Sequence, residues 1–140
     1  MADYPSEFEL DVVLRDGETV QVRPITPADG PLLVDFFERM GPESRYFRFF
    51  RVKQSLPPEE VEFFTNVDYD NRMALIVLDD DSMIAVARYD RESEGSPSAE
   101  VAFAVADDQQ GRGLGTELLQ LLTSNARQNG VEQFQAFVLP

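Results

Sequence analysis

The sequence predicts an α/β fold (α+β, mixed sheet), in which helices cover a sheet of both antiparallel and parallel strands. Three observations indicate this class. Two pairs of strand-like segments are joined by tight acidic turns, which is typical of antiparallel hairpins. Apolar residues at helical spacing separate the two hairpins. A strand, a glycine-rich turn, a helix and a further strand then follow one another, and this order predicts a parallel crossover.

Residues 1–24 predict the first hairpin. Apolar residues alternate with polar ones from Phe8 to Leu14, Asp16-Gly17 interrupts the pattern, and it resumes from Val20 to Val22. Alternation of this kind predicts strands with one buried face, and an Asp-Gly pair is a common hairpin turn.

Residues 27–66 predict a helical segment. Thr26 as N-cap and Pro27 at the first position predict a helix that runs from Pro27 to Arg39. One or two helical turns are expected over residues 43–50. A further short helix is expected to begin at Pro57 and to end by Asn66.

Residues 72–106 predict three antiparallel strands. Met73–Leu78 and Met83–Tyr89 form a second hairpin, whose turn is the aspartate run at 79–81. In the third strand, Glu100–Ala106, parity places Glu100 and three alanines on one face and a Val-Phe-Val series on the other.

Residues 107–140 predict a glycine loop, a helix and a parallel strand. The helix spans Leu114–Gln128, buries a leucine-rich face and is closed by Asn129-Gly130 as a C-cap. Phe134–Leu139 is the last strand. We therefore predict one domain over residues 1–140, composed of these four segments.

Composition excludes several classes of chemistry. The chain has no cysteine and no histidine, so disulfides, cysteine nucleophiles, histidine bases and zinc sites built on those ligands are excluded, and no metal is expected. The N-terminus lacks a signal-peptide pattern, and no apolar run approaches the roughly 18 residues of a membrane helix, so we expect a cytoplasmic protein without a membrane partner. The net charge of −14 argues against nucleic acid and favours a cationic partner.

The stretch from Asp107 to Thr116 carries three glycines at alternate positions, two of them where the first turn of the helix should form. Glycine costs about 1 kcal/mol against alanine inside a helix, which indicates a ligand that approaches the backbone closely. Free amides at a helix N-terminus favour phosphate. A dinucleotide fingerprint needs Gly-x-Gly-x-x-Gly, and a Walker loop needs a lysine after its last glycine; the stretch has neither.

Gln110-Gly111-Arg112-Gly113-Leu114-Gly115 fits a different motif, Gln/Arg-x-x-Gly-x-Gly/Ala. With this motif and this order of elements, the chain resembles the GNAT superfamily of acyl-CoA-dependent N-acetyltransferases. Four further stretches look like bacterial Pat-type protein lysine acetyltransferases; they are residues 22–25, 42–50, 67–70 and 99–102. The predicted fold is therefore GNAT-like.

The resemblance implies acetyl-CoA as cosubstrate and direct attack of an amine on the thioester, without a covalent enzyme intermediate. Glu100 is the candidate general base, because it matches the Pat-type glutamate and shares its strand face with alanines that leave room for a substrate. Arg112 is the one positive charge in the loop. The implied coenzyme A contacts are Phe103, Ala104, Val105, Gln110, Gly111, Arg112, Gly113, Leu114, Gly115 and Thr116.

Domains of this resemblance continue with a helix and two further strands, so we expect a domain truncated at its C-terminus. None of the four tyrosines matches the position of the family's general acid. An unpaired last strand favours self-association. The expected acceptor is an amine, above all a protein lysine; a catalytically silent acyl-CoA-binding sensor and a small-amine acetyltransferase stay open as alternatives.

Overall fold

The computed structural model describes residues 3–40, 56–109 and 111–135. Helices α1 to α3 span Gly30–Arg39, Pro58–Thr65 and Leu114–Gln128. Strands β1 to β6 span Leu10–Val13, Thr19–Pro24, Arg72–Asp79, Ser82–Arg91, Ser98–Val105 and Gln133–Gln135. Short 3-10 turns occupy Ser6–Phe8, Pro27–Asp29 and Asp107–Gln109. Within the described ranges, no helix has the length and apolar character needed to cross a membrane.

The six strands form one mixed sheet in sequence order, and its topology decides which loops meet. Neighbouring strands are antiparallel from β1 to β5. Strands β5 and β6 are parallel, with Ser98 opposite Gln133 and Glu100 opposite Gln135, as the crossover predicted. Because β1, β3 and β5 run in the same direction, the β1–β2 turn, the β3–β4 turn and the glycine loop all lie at one end of the sheet.

Helices cover both faces of the sheet. Helix α3 buries Leu114, Leu118 and Leu122 against one face, at the i, i+4 spacing of an amphipathic helix. Helices α1 and α2 cover the other face, where Phe36 and Ile76 belong to a second core cluster. Strands β3 and β4 are buried on both sides, because they lie between these two layers.

The structure refines several predicted elements. The β3–β4 turn has two residues instead of three, because Asp79 pairs with Ser82 and Asp80 takes a left-handed conformation at φ 54°. In β1, Val13 stays 66% exposed, because the strand pairs only with β2 in the described part of the chain. The turns expected at 43–50 lie outside the described residues, as does the part of the last strand beyond Gln135 through which we predicted self-association.

One ion pair fixes the corner between β2 and α1. Arg23 donates to both carboxylate oxygens of Asp29, at 2.6 and 2.8 Å, and the Asp29 side chain is only 5% exposed. Asp29 also accepts from the backbone N–H of Thr26 at 2.7 Å, which completes a capping box. Burial raises the pKa of the Asp29 carboxyl, but hydrogen bonds from Arg23 and Thr26 outweigh this and lower it below the usual value.

Replacement of Asp29 should be costly for the fold. We expect Asp29→Asn to lower the free energy of unfolding by about 3 kcal/mol in a urea titration, because it leaves a half-buried guanidinium without its carboxylate. The matched control is Asp35→Asn, which removes an exposed i, i+4 partner of Arg39 and should cost less than about 0.5 kcal/mol. Equal losses in the two variants would contradict the assignment.

The same pair predicts an acid dependence of stability. The folded pKa of Asp29 is lowered, so its stabilisation is complete above the unfolded pKa of about 3.9 and is lost as the pH falls through the folded value. The difference in unfolding free energy between the native chain and Asp29→Asn should therefore shrink below about pH 4. A difference that stays constant down to pH 2 would contradict it.

Candidate active site

The glycine loop turns the chain sharply from β5 into α3. Gly111 and Gly113 have φ angles of 87° and 85°, in the left-handed region that side chains rarely adopt. Gly113 is the residue that precedes the first turn of α3, and among the described residues no side chain caps that turn. The first-turn amides therefore face the loop, in the arrangement that binds phosphate groups in other proteins.

Strand β5 leads directly into this loop. Phe103 is 52% exposed, and a Cβ added to Gly115 would lie 3.6 Å from Cε2 of its ring, so the ring lies beside the first turn of α3. Ala104 is buried on the opposite face, and Val105 is half-buried. Gln110 lies outside the described residues, whereas Leu114 is buried under the helix and Thr116 is exposed.

Arg112 is held by the turn between β1 and β2. Its guanidinium donates to Asp16 at 2.8 Å and to Glu18 at 3.0 Å, and also to the side-chain oxygen of Gln109. The hydrogen bond to Asp16 raises the pKa of Arg112. The pKa of Asp16 is lowered, first by the backbone N–H of Glu18 and then by Arg112. The charge of Arg112 is thus directed at protein carboxylates.

Arg15, which the sequence analysis did not select, lies beside the loop. A Cβ added to Gly113 would be 3.0 Å from Nε of Arg15 and 3.5 Å from its Cδ and Cζ, so this side chain passes directly over Gly113. The residues that meet here are almost a hundred positions apart in the sequence. The only local signal is a hairpin turn, and a turn gives no information about which distant loop it contacts.

Glu100 lies at the other end of β5, on the face covered by α1 and α2. It is exposed, and its strand neighbours are Asp90 on β4 and Gln135 on β6. Alternate side chains of β5 face opposite sides of the sheet, as predicted. Ala104 lies in the core under α1, and Val101 and Val105 pack on the α3 side.

Two arginines organise the surface around Glu100. Arg72 donates to Asp90 at 3.0 Å, and the Nε of the buried Arg88 lies 3.6 Å from the other Asp90 oxygen. Both guanidinium groups also stack on rings of α2, Arg72 on Phe63 at 3.7 Å and Arg88 on Phe64 at 4.6 Å. Asp90 is thus held by cations, while Glu100 beside it remains open to solvent.

The described tyrosines are engaged in structural hydrogen bonds. The Tyr69 hydroxyl donates to the Ile25 carbonyl at 2.7 Å, and the Tyr89 hydroxyl donates to the Asp70 carbonyl at 2.8 Å. Tyr4 donates to Glu9 at 3.0 Å, and burial together with this bond raises the pKa of Tyr4 to about 12. A general acid works best with a pKa near the working pH, so these contacts favour none of the three.

Comparison with known proteins decides the family. A family model described as "Acetyltransferase (GNAT) family" matches residues 34–140. The chain belongs to this family. The crystal structure of the GNAT domain of S. lividans PAT superposes with a TM-score of 0.93 at 43% identity, and the match covers 99% of this chain and 82% of that one. The predicted Pat-type GNAT family and GNAT-like fold are confirmed, and the matching family model describes acetyltransferases.

Two curated relatives show how much of a longer protein the chain represents. It is 35% identical to Acetyltransferase Pat from Mycolicibacterium smegmatis over 133 residues, which is 93% of this chain and 39% of the relative. It is 32% identical to Acetyltransferase PA5475 from Pseudomonas aeruginosa over 124 residues, which is 86% of this chain and 66% of the relative. The chain thus corresponds to part of each relative.

Substitution by alanine should have opposite effects on stability at Gly113 and at Gly115. Gly113→Ala should lower the free energy of unfolding by about 1–2 kcal/mol, because alanine is strained at φ 85° and its Cβ would press on Arg15. Gly115→Ala should leave the stability unchanged or raise it by up to about 1 kcal/mol, because its Cβ would make an ordinary contact with Phe103. Chemical denaturation measures both, and a native-like Gly113→Ala would contradict the left-handed geometry.

Proposed function

We propose that this chain is an acetyl-CoA-dependent N-acetyltransferase domain whose acceptor is an amine, above all the side chain of a protein lysine. The observation that carries the proposal is the arrangement of β5. One end of this strand leads to the first turn of α3, which no side chain of the described residues caps, and the other end carries the exposed Glu100. From Glu100 to Val105 the strand spans about 17 Å, which accommodates an extended thioester arm.

The loop is suited to the diphosphate of the cosubstrate. Gly111 and Gly113 lack the Cβ atoms that would obstruct the backbone, and the amides at Leu114, Gly115 and Thr116 belong to the first turn of α3. The positive end of the helix dipole favours an anion at this position. These residues are therefore proposed to bind the diphosphate, together with Gln110, whose role rests on the motif alone.

The backbone of β5 is proposed to orient the thioester. As the resemblance implies, polar groups around Phe103–Val105 would pair with the pantetheine arm and polarise the reacting carbonyl. Such hydrogen bonds are effective because they are fixed before the reaction. Bound acetyl-CoA would supply an activated acyl group, so the chain has to align the amine and to remove its proton. As the amide bond forms, the carbon–sulfur bond breaks and the departing thiolate takes up a proton from solvent.

Glu100 is proposed to accept that proton. An exposed carboxylate can exchange protons with solvent, and small alanines share its strand face. Asp90 is less suited to this role, because Arg72 and Arg88 hold its carboxylate. The net charge of −14 favours the approach of a lysine-bearing acceptor by long-range attraction.

Two measurements test the proposal in sequence. Calorimetry with acetyl-CoA should detect binding, and absence of binding would overturn the cosubstrate assignment. A thiol-release assay with lysine peptides and with polyamines should then detect turnover with the peptides. Turnover with polyamines alone would replace the acceptor by a small amine. Binding without turnover would favour an acyl-CoA-binding sensor, a function that agrees with the structural hydrogen bonds of the described tyrosines.

Replacement of the proposed base should separate catalysis from binding. Glu100→Gln is expected to lower kcat by about 10²–10⁴-fold at neutral pH, because the amide cannot accept the proton. The affinity for acetyl-CoA should stay nearly unchanged in calorimetry. The control is Glu94→Gln, an equal charge change at an exposed loop position after β4, which should turn over normally. Native turnover by Glu100→Gln would remove this residue from the mechanism.

A further inference from the structure

The turn between β1 and β2 belongs to the same end of the molecule as the glycine loop. Among the described residues, three contacts join them: the bonds of Arg112 to Asp16 and to Glu18, and the passage of Arg15 over Gly113. All three depend on residues 15–18, which precede the matched family region at 34–140. The family motif therefore gives no role to this turn.

Arg112 and Arg15, the two arginines beside the glycine loop, differ in their hydrogen-bond partners. Arg112 uses Nε, Nη1 and Nη2 to donate to Asp16, Gln109 and Glu18, and its side chain is only 15% exposed. Arg15 is exposed, and among the described residues it makes no hydrogen bond or ion pair. A guanidinium has five N–H donors, and no described residue accepts from those of Arg15, so they can bind an oxyanion.

Arg15 lies close to the place where the loop is proposed to bind the negatively charged diphosphate. Its side chain lies over Gly113, directly before the first-turn amides of α3. A diphosphate bound to those amides would lie within reach of the Arg15 guanidinium. Asp16 and Glu18 would repel such an anion, but Arg112 pairs with both of them, and the charges of these two acids and of Arg15 and Arg112 sum to zero.

We propose that the β1–β2 turn is part of the cosubstrate site, in which Arg15 contacts the diphosphate of coenzyme A and Arg112 is a positioning residue that anchors the turn through Asp16 and Glu18. The inference rests on the proposed function, because it assumes that acetyl-CoA binds at the glycine loop. It adds a binding residue from a segment outside the loop motif. It also gives Arg112 a different task from the direct contact that the motif implies.

The first experiment tests Arg15 by calorimetry. Arg15→Gln should weaken acetyl-CoA binding by about 10–100-fold, the range for a hydrogen bond between charged groups. Arg15→Lys, which keeps the charge, should lose less. Arg127→Gln is the matched control, because Arg127 is exposed in the last turn of the same helix, far from the loop, and it should bind normally. Native affinity in Arg15→Gln would overturn the proposal.

Two smaller relatives of coenzyme A test which part of the cosubstrate Arg15 contacts. Pantetheine, which has no phosphate, should bind equally to the native chain and to Arg15→Gln; a loss with pantetheine would indicate damage to the fold and overturn the proposal. Dephospho-coenzyme A keeps the diphosphate but lacks the 3′-phosphate, and Arg15→Gln should weaken its binding as much as that of coenzyme A. A loss confined to coenzyme A would overturn the placement on the diphosphate.

The second experiment asks whether Arg112 positions the turn or binds the cosubstrate directly. The two roles predict opposite changes in the affinity for acetyl-CoA. The double variant Asp16→Asn, Glu18→Gln removes two negative charges from the site, so electrostatics alone would tighten acetyl-CoA binding, and release of Arg112 as a ligand would tighten it further. If Arg112 anchors the turn, binding instead weakens by about 3–10-fold, because Arg15 loses its fixed position. Tighter binding would overturn the positioning role.

Its control is Glu92→Gln, Glu94→Gln, which removes two charges from the loop at the opposite end of the sheet and should change the affinity little. The outcomes also distinguish this inference from the proposed function. A native chain that does not bind acetyl-CoA would overturn both. A native chain that binds, with an Arg15→Gln variant that binds equally well, would overturn the inference alone.

Discussion

The junction between β5 and α3 is the constraint on which the rest of the structure depends. β5 pairs along its length with β4, and α3 must return across the sheet so that its leucines reach the core and β6 can pair parallel to β5. Two left-handed glycines, Gly111 and Gly113, permit this reversal within a few residues. The same geometry leaves the first turn of α3 uncapped by side chains of the described residues, so one reversal provides both the crossover and the proposed anion site.

The sheet separates the two halves of the proposed chemistry. The α3 side carries the loop and Phe103, whereas the α1 and α2 side carries Glu100 beside Asp90. Burial of the Arg88 guanidinium would be costly in isolation, and Asp90 together with the Phe64 ring offsets that cost. This arrangement fixes one carboxylate of the neighbouring pair and leaves the other open to exchange protons.

Local patterns sufficed for most of the fold. Alternation, the Thr26-Pro27 start and the glycine C-cap at Gly130 are short-range signals, and the bounds of the elements they predicted agree with the structure to within three residues. The face of Glu100 also followed from parity, because the strand period is two. The position of Arg15 could not follow in this way, because its contact with Gly113 depends on the order of six strands and on the direction in which each one runs.

A chain with a net charge of −14 needs a locally positive site in order to bind an anionic cosubstrate, and we propose that the loop provides one. At physiological ionic strength the Debye length is about 8 Å, so acids elsewhere on the surface contribute little to the potential at α3. Two acids beside the loop are Asp16 and Glu18, and Arg112 pairs with both at contact distance. With those two acids paired, the first-turn amides of α3 and the guanidinium of Arg15 are positive groups that lie beside the loop. The proposed attraction of a lysine-bearing acceptor to the acidic surface is then compatible with the proposed phosphate site in the same small domain.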